Sequence, residues 1–437
     1  MKKFKVCLAV LMIAMMMGGS VWALDAKDHV KVAPNGKGDL LIFPWYFAMP
    51  GGYDTKITVI NTSNEYNVVA KVIYRSYSWS VELLDHMIYL SPNDVWTGRL
   101  TSKDGIPTLV STDDSILGRY VSGLATADDF ANMPGNDVKQ PLHSPSEYGC
   151  PATDSNSFGY IEVIEAAAIP TAAGVKVAKK DIYNAYALIK PADLLPPSAY
   201  SPANVLTGYQ ENFIVFSATL KRAVVFADYK NTFKLNVGAN TKLGKDANNS
   251  LAEVEAAMGK HSVALPYVSR ANGDMSMHIF NFPTKLSLEG SAACSAGGYK
   301  PYYASPYWNL VVSQCETYTR NTYDLMENTP GGGQIFSPIT TNTTTMCEEV
   351  HLNFTDYSAA AAAYTEGWVR YNWGKSADEK YGSTQSGVPI SFTGTPVLPS
   401  VLYWTDSKAN WAEADAAYTN GVVKVNGVQL NYYHYSH

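Results

Sequence analysis

The sequence predicts a mainly β protein built of immunoglobulin-like β-sandwich domains, with long loops and a few short helices. Aromatic residues make up 12% of the 437 residues, including 30 tyrosines, whereas charged residues reach only 16%. Aromatic and β-branched side chains favour half-buried pleated strands over long solvated helices. Short runs rich in Val, Ile, Thr and Tyr also recur between Asn, Ser, Gly and Pro, at the spacing typical of sandwiches.

Strand patterns extend through the first half of the chain. Asn61-Thr62-Ser63-Asn64 separates two of these strands, because Asn and Ser side chains bond their own backbone and tolerate turn geometry. In the run 158–165, alternation places the even-numbered residues on one face and the odd-numbered residues on the other. The remaining runs that predict strands are 39–46, 56–62, 67–75, 87–92, 209–220 and 223–229.

Two helices and a hairpin are predicted in the second half. A capping box that begins at Ser250 starts a helix that extends to Lys260. A second helix is predicted over 407–418, with Asp406 as its N-cap. Asn426-Gly427 between two apolar runs is typical of a two-residue β-hairpin turn.

The chain divides into a leader and two β-rich regions. We assign residues 1–23 to a signal peptide, 24–235 to a first β-sandwich region, 236–261 to a helical connector and 262–437 to a second, disulfide-containing β-rich region. A polar, proline-containing stretch at about 126–157 indicates a long surface insertion in the first region. At roughly 100 to 200 residues per domain, the length is sufficient for two sandwiches with their own cores.

The amino terminus predicts export. Lysines precede an apolar run over 6–17, and Val21-Trp22-Ala23 offers a cleavage site, which together are typical of a secretory signal peptide. We expect the mature chain at the cell surface or in the medium, with the periplasm as an alternative. No transmembrane helix is expected after signal removal, because no later apolar run reaches about 18 residues.

Charge and cysteine content limit the chemistry. The net charge is −6 and the 33 Lys and Arg are dispersed, so no basic patch predicts a nucleic-acid partner. Signal removal leaves an even number of cysteines, which indicates disulfides in an exported chain, with three connectivities open. These disulfide candidates are Cys150, Cys294, Cys315 and Cys347.

Several phrases occur together across most of the mature chain. They are Leu40-Leu-Ile-Phe-Pro-Trp-Tyr, Asp54-Thr-Lys-Ile-Thr-Val-Ile-Asn-Thr-Ser, Val81-Glu-Leu-Leu-Asp, Tyr89-Leu-Ser-Pro-Asn-Asp-Val-Trp-Thr-Gly, Phe282-Pro-Thr-Lys, Gly367-Trp-Val-Arg and Gly387-Val-Pro-Ile. Together they resemble a family of poorly characterised secreted cell-surface proteins of Gram-negative bacteria, described as surface-layer-like. The resemblance implies a β-rich exported protein and brings no catalytic residues. The family pattern has a cysteine soon after Thr112-Asp113-Asp114, which this chain lacks, so no disulfide scheme is carried over.

Carboxylates are the candidate groups for a metal or for catalysis. The pairs Asp113-Asp114 and Asp128-Asp129 could bind calcium through oxygen ligands, although without EF-hand spacing solvated loops are the simpler interpretation. Glu162, Glu165 and Glu211 could provide paired acids for glycoside hydrolysis. Signature motifs of hydrolases and nucleotide-binding proteins are absent from the sequence, and we expect no enzyme and no other cofactor.

Aromatic side chains are the remaining candidates for binding. A cluster follows Cys294 and comprises Tyr299, Tyr302, Tyr303, Tyr307 and Trp308. Such residues stack on sugars or make subunit contacts, although packing within a disulfide-braced region is the simpler interpretation.

Taken together, the patterns predict a non-enzymatic structural protein of the cell surface or envelope that self-associates, as a surface-layer-like or filament subunit. A homo-oligomer is the expected partner. A glycan-binding adhesin or lectin-like module is one alternative, with a surface glycan as its ligand. An outer-membrane β-barrel porin is another, although prolines and two helices interrupt the strand pattern that such barrels require.

Overall fold

The structure is a computed structural model, in which antiparallel sheets dominate, and the mainly β, sandwich-rich fold predicted from the sequence is confirmed. It describes residues 30–116, 138–150, 154–189, 203–214, 217–228, 251–268, 275–285, 316–324, 342–346, 348–355, 366–373, 380–383, 389–392, 394–404, 422–425 and 428–431.

Two six-stranded sheets form the first sandwich. Along the chain its strands are β1 (Lys31–Val32), β2 (Leu40–Phe47), β3 (Tyr53–Asn61), β4 (Tyr66–Ser76), β5 (Glu82–Leu90), β6 (Val95–Lys103), β7 (Ile106–Ser111), β8 (Val138–Pro141), β9 (Phe158–Pro170), β10 (Leu206–Ile214), β11 (Ser217–Arg222) and β12 (Val224–Ala227). Layer 1 has the order β11-β10-β3-β6-β7-β8, and layer 2 has the order β1-β12-β2-β9-β4-β5. Helix α1 (Lys179–Ile189) packs on layer 2.

The second sandwich follows helix α2 (Leu251–Met258). Its strands are β13 (Gly259–Lys260), β14 (Ser262–Val268), β15 (Met275–Asn281), β16 (Glu316–Asp324), β17 (Asn342–Met346), β18 (Val350–Thr355), β19 (Glu366–Asn372), β20 (Lys380–Ser383), β21 (Pro389–Phe392), β22 (Thr395–Pro396), β23 (Leu398–Trp404), β24 (Val422–Val425) and β25 (Val428–Asn431). Layer 3 has the order β18-β15-β23, and layer 4 has the order β14-β19-β16-β17. The pairs β13-β22, β20-β21 and β24-β25 form small separate sheets.

The four layers stack in the order 1, 2, 3, 4, with an apolar core between each pair of neighbours. Leu41 and Val72 of layer 2 face Val59 of layer 1, whereas Leu40 and Ile73 face the core shared with layer 3. The third core lies between layers 3 and 4 and contains Phe280, Phe282, Leu265, Val369 and Tyr371. Layer 2 is therefore covered on both faces, which explains why its strands read as nearly continuous apolar runs.

Most of the predicted elements are present. Residues 61–64 connect β3 to β4, and within 158–165 the even-numbered and odd-numbered apolar residues of β9 face different cores as predicted. The helix predicted at 250–260 is α2, and β24 pairs with β25 as the hairpin around Asn426-Gly427 requires. The helix predicted at 407–418 lies outside the described residues.

Several elements were not predicted, among them β6 and β7 of the first sandwich and most strands of the second. Helix α1 was missed, and the interval predicted as an insertion contains β8, which completes layer 1, and a 3-10 turn at Pro145–Tyr148. The strands of layers 1 and 2 end at Ala227, and those of layers 3 and 4 begin at Ser262. The domain limits at 235 and 261 stay predictions.

Candidate functional site

One end of the contact between layers 2 and 3 is lined by buried ionisable side chains, and we call it the acidic junction. The first sandwich contributes the end of β4, the start of β9 and the segment before β9. The second sandwich contributes the turn after β15, the two residues before β18 and the start of β18. The ionisable side chains of the acidic junction are Arg75, Asp154, Tyr160, Glu162, Lys285, Glu348, Glu349 and His351, all of them buried.

Hydrogen bonds fasten the two sandwiches together along this contact. A bulge in β2 interrupts its register with β9 between Phe43 and Tyr46, and the Pro44 carbonyl within it accepts a bond from the Asn281 amide at 3.0 Å. Two more bonds run from the Val350 N–H to the Tyr77 carbonyl, 2.9 Å, and from the Tyr160 hydroxyl to the Pro283 carbonyl, 3.3 Å. The acidic junction therefore belongs to a fixed interface.

Asp154 is held in the segment before β9 by a set of donors from the turn after β4. Its Oδ2 accepts a bond from the Ser76 hydroxyl at 2.5 Å, and its Oδ1 accepts the Ser78 N–H at 3.1 Å and the Ser155 N–H at 2.9 Å. Burial nevertheless dominates, because these bonds only partly offset the loss of water. The pKa of the Asp154 carboxyl is raised to about 7.

Glu349 faces Asp154 from the other side of the acidic junction. Burial raises the pKa of Glu349 above its usual range, and the charges of Asp154 and Glu348 act in the same direction while Lys285 opposes them. Its neighbour Glu348 behaves differently. Burial alone would raise the pKa of Glu348, but a hydrogen bond of 2.9 Å with His351, the charge of His351 and that of Lys285 hold it below its usual range. Two adjacent glutamates thus differ in proton affinity because only Glu348 has the hydrogen bond and the charge of His351.

Arg75, the cation that the first sandwich contributes to the acidic junction, forms an ion pair with Glu162. Arg75 Nε donates to Glu162 Oε2 at 2.6 Å, and its Nη1 donates to the Ser80 carbonyl at 3.2 Å. Arg75 and Glu162 are 1% and 5% exposed, so water screens their attraction very little. The Tyr160 hydroxyl lies 2.9 Å from Ser80 Oγ and links this ion pair to the second sandwich.

A second buried ionic group lies on the same face of β4. Lys71 forms ion pairs with Asp85 and, at 3.6 Å, with Glu82. Burial would raise the pKa of Asp85, but Lys71 holds it below its usual range. Burial raises the pKa of Glu82 despite Lys71, because Asp85 is the closer partner of the cation and adds its own repulsion. This group anchors β4 to β5.

Proton exchange near neutral pH is the chemistry that this arrangement supports. Asp154 and Glu349 are 8% and 3% exposed, and they belong to opposite sides of an interface. A metal centre has no support within the described ranges, where no group of three or more His, Cys, Asp or Glu side chains is arranged to hold an ion.

Those predicted calcium ligands that the structure describes, Asp113 and Asp114, lie in a loop and interact with neighbouring protein groups. Asp113 accepts the Thr97 N–H at 3.2 Å and the Ser115 N–H at 2.9 Å, as turn-forming aspartates do. Asp114 lies 3.9 Å from the Lys179 ammonium. Asp128 and Asp129 lie outside the described residues.

The three glutamates considered for glycoside hydrolysis are not brought together. Glu162 pairs with Arg75 at the acidic junction, and Glu211 pairs with Lys56 at 3.0 Å on the outer face of layer 1. Glu165 is buried and accepts a backbone N–H from the segment before β10, at 2.8 Å. Burial raises the pKa of Glu165 to about 8. Each carboxyl therefore has its own structural partner.

Most of the predicted cysteines and aromatic candidates cannot be placed. Cys150 is 6% exposed and belongs to the core between layers 1 and 2. Cys294, Cys315 and Cys347, together with Tyr299, Tyr302, Tyr303, Tyr307 and Trp308, lie outside the described residues. Disulfide pairing and a role for this aromatic cluster stay predictions.

Another aromatic pair lies on the outer face of layer 4. Tyr323 and Trp368 are half-buried register partners on β16 and β19, with ring centroids 3.9 Å apart and planes inclined by 16°. Pro266 is the register partner of Trp368 on its other side, and exposed Arg370 shares this face two residues along β19. The alternation in Gly367-Trp-Val-Arg already places Trp368 and Arg370 on the same face of a strand.

Between layers 3 and 4 the polar group is a neutral histidine. His278 Nε2 lies 2.9 Å from the Pro266 carbonyl, which can only accept, so Nε2 carries the proton and Nδ1 accepts the Tyr371 hydroxyl at 2.7 Å. Asn353 donates to the same hydroxyl at 3.1 Å. Burial, with a smaller effect of Arg320, lowers the pKa of His278 to about 4.

Comparisons with known proteins identified no relative of this chain. No family model, curated protein or solved structure matches it. Among the helices that the structure describes, none combines the length and apolar character needed to span a bilayer. The resemblance to surface-layer-like proteins thus stays a prediction.

Proposed function

We propose that this chain is a non-enzymatic structural protein of the cell surface or envelope, and that copies of it associate through an open sheet edge. The signal-like amino terminus supports the location. The four-layer stack supports a structural role, because buried ion pairs join strands of layer 2 and buried hydrogen bonds join the two sandwiches. The observation that carries the proposal is a difference between sheet edges.

Two terminal strands of the sheets carry residues that oppose edge pairing. β8 ends layer 1 and contains Lys139 and Pro141, and β14 ends layer 4 and contains Pro266. Lysine and proline are common protections of edge strands, since one repels a like partner and the other lacks an N–H.

The opposite end of layer 4 differs. β17 is the last strand of that sheet among the described residues, and its sequence, Asn-Thr-Thr-Thr-Met, has neither proline nor charge. Threonine is β-branched and suits a pleated strand. A second copy could add its own β17 in antiparallel pairing, which would form a two-fold contact between identical surfaces.

The experiment compares assembly of the mature chain, beginning at Leu24, with two lysine variants. Thr345→Lys places a charge on β17, and the matched control Thr317→Lys places the same charge on its register partner on β16, one strand inside the edge. We expect sedimentation and electron microscopy to show sheets, filaments or large oligomers for the wild type and the control, and smaller species for Thr345→Lys.

Two results would count against the proposal. A strictly monomeric wild type at high concentration, with and without divalent cations, would remove self-association. Unchanged assembly of Thr345→Lys would show that β17 is not the contact.

A glycan-binding module is the second candidate, and the stacked Tyr323–Trp368 pair favours it. Half-exposed aromatic rings beside an arginine suit the apolar faces and hydroxyls of sugars. A glycan array tests this with Trp368→Ala and Thr317→Lys side by side. Binding that survives Trp368→Ala, or no binding by the wild type, would exclude this surface as the site.

A further inference from the structure

We propose that the acidic junction is a proton-operated latch. Asp154 and Glu349, one from each sandwich, hold the turn after β15 and the segment before β18 against layer 2 while both carry a proton, and they release these segments when both ionise. This inference concerns a single chain and goes beyond the proposed assembly.

The geometry places two carboxyl groups where ionisation of either has a high free-energy cost. Both are buried at the interface, and the charge of Asp154 raises the pKa of Glu349 further. Glu349 Oε2 has no hydrogen-bond partner among the described residues. A buried carboxylate without donors or a counter-ion is strongly destabilised, whereas a protonated carboxyl is not.

The surrounding cations compensate these two acids only in part. Arg75 is bound to Glu162, and the charge of Lys285 is shared between Glu348 and Glu349. The remaining ionisable groups that face the pair are His351, bonded to Glu348, and the phenols of Tyr46 and Tyr160. Burial raises the pKa of both phenols well above the usual range, so the phenols stay neutral and supply no positive charge.

The direction of the pH effect follows from the two states of each acid. In the released state both carboxyls meet water and titrate near their ordinary values, at about 4. In the latched state the pKa of Asp154 is about 7, and that of Glu349 is raised for the same reason. The contribution of these groups is therefore fully present below about pH 4 and is lost as the pH rises through the latched values.

Release is local. Away from the acidic junction the contact between layers 2 and 3 includes an apolar part, in which Met277, Ile279 and Leu402 face Leu40 and Ile73. That part of the interface does not titrate and keeps the sandwiches together while the two segments move.

Hydrogen exchange of the full-length mature chain, measured between pH 5 and 9 and corrected for intrinsic exchange rates, provides the test. The reporter is the Val350 N–H, which bonds Tyr77 across the acidic junction. We expect its protection to fall roughly tenfold per pH unit between about 5 and 7 for each of the two acids. The Trp373 N–H, bonded to His261 within the second sandwich, should show no such fall.

Variants separate the latch from general unfolding. Asp154→Asn combined with Glu349→Gln mimics the protonated pair and should make the protection of the Val350 N–H independent of pH. The control variant Glu211→Gln, on the outer face of layer 1, should show the same pH dependence of this protection as the wild type. If the double variant does not fold, Asp154→Asn alone should retain about half the slope, since one of two titrating groups remains. Flat protection in the wild type, or an unchanged slope in these variants, would overturn the proposal.

Discussion

Replacing Arg75 by methionine should be among the most destabilising single changes in the first sandwich. Arg75 is 1% exposed, and its Nε lies 2.6 Å from Glu162 Oε2. Methionine fills part of the space of the arginine stem but leaves the Glu162 carboxylate buried without its cation. Removing one partner of a buried ion pair typically costs about 3 to 5 kcal/mol. The Ser80 carbonyl, which accepts from Nη1 at 3.2 Å, loses a donor as well.

The magnitude is best judged against an exposed pair in the same half of the molecule. Lys56 and Glu211 lie 3.0 Å apart on layer 1, but their side chains are 41% and 38% exposed. Exposed pairs of this kind are worth about 0 to 1 kcal/mol, so Lys56→Met should barely change the free energy of unfolding. The contrast isolates the effect of burial from that of charge.

Urea unfolding at pH 7, followed by tryptophan fluorescence and circular dichroism together, measures these differences. The double variant Arg75→Met with Glu162→Met should be more stable than Arg75→Met alone, because no charge is then left without a partner. A loss below about 1 kcal/mol for Arg75→Met would refute the reasoning. So would a double variant whose loss equals the sum of the two single losses.

Three further outcomes are expected. Tyr371→Phe should cost about 1 to 3 kcal/mol, because His278 and Asn353 both lose their hydroxyl partner; no loss in urea unfolding would contradict these bonds. Since His278 is held neutral, with a pKa of about 4, its contribution to the free energy of unfolding is present above about pH 6.5 and is lost as the pH falls. The difference in unfolding free energy between the wild type and His278→Gln should therefore decrease from about pH 6.5 to 4, and a constant difference would contradict this assignment. A Cβ on Gly159 would lie 1.8 Å from a backbone oxygen of β4, whereas at Gly105 the only strain is a φ of +81°. Gly159→Ala should therefore lower the midpoint of thermal unfolding far more than Gly105→Ala. Equal shifts of the two midpoints would contradict the close approach at Gly159.

Local pattern was sufficient to predict which way the strand residues face. In β9, Tyr160 and Ile161 fall in different cores because side chains alternate along any strand, wherever it lies in the sheet. The pattern that predicted α2 is local too, since it spans only a few neighbouring residues. Helix α1 could have been found from Ile182 and Tyr186, which are four residues apart and both buried on one face.

The acidic junction could not be predicted in this way. Asp154 lies in a polar segment that resembles a solvated loop, and its raised pKa depends on burial in the folded protein. Glu348 and Glu349 are adjacent in sequence, yet their pKa values shift in opposite directions because only Glu348 bonds His351. Such differences arise from tertiary contacts, which periodicity does not report.

The covered state of layer 2 has a consequence for how the polypeptide acquires its structure. All strands of that sheet precede residue 228, whereas the strands of layer 3 that shield it begin at Met275. When the chain is synthesised or exported from its amino terminus, the first sandwich therefore forms while the apolar face of layer 2 is still exposed to solvent. Such a surface invites aggregation, and a holding chaperone that engages newly delivered chains until the remaining strands arrive would prevent it.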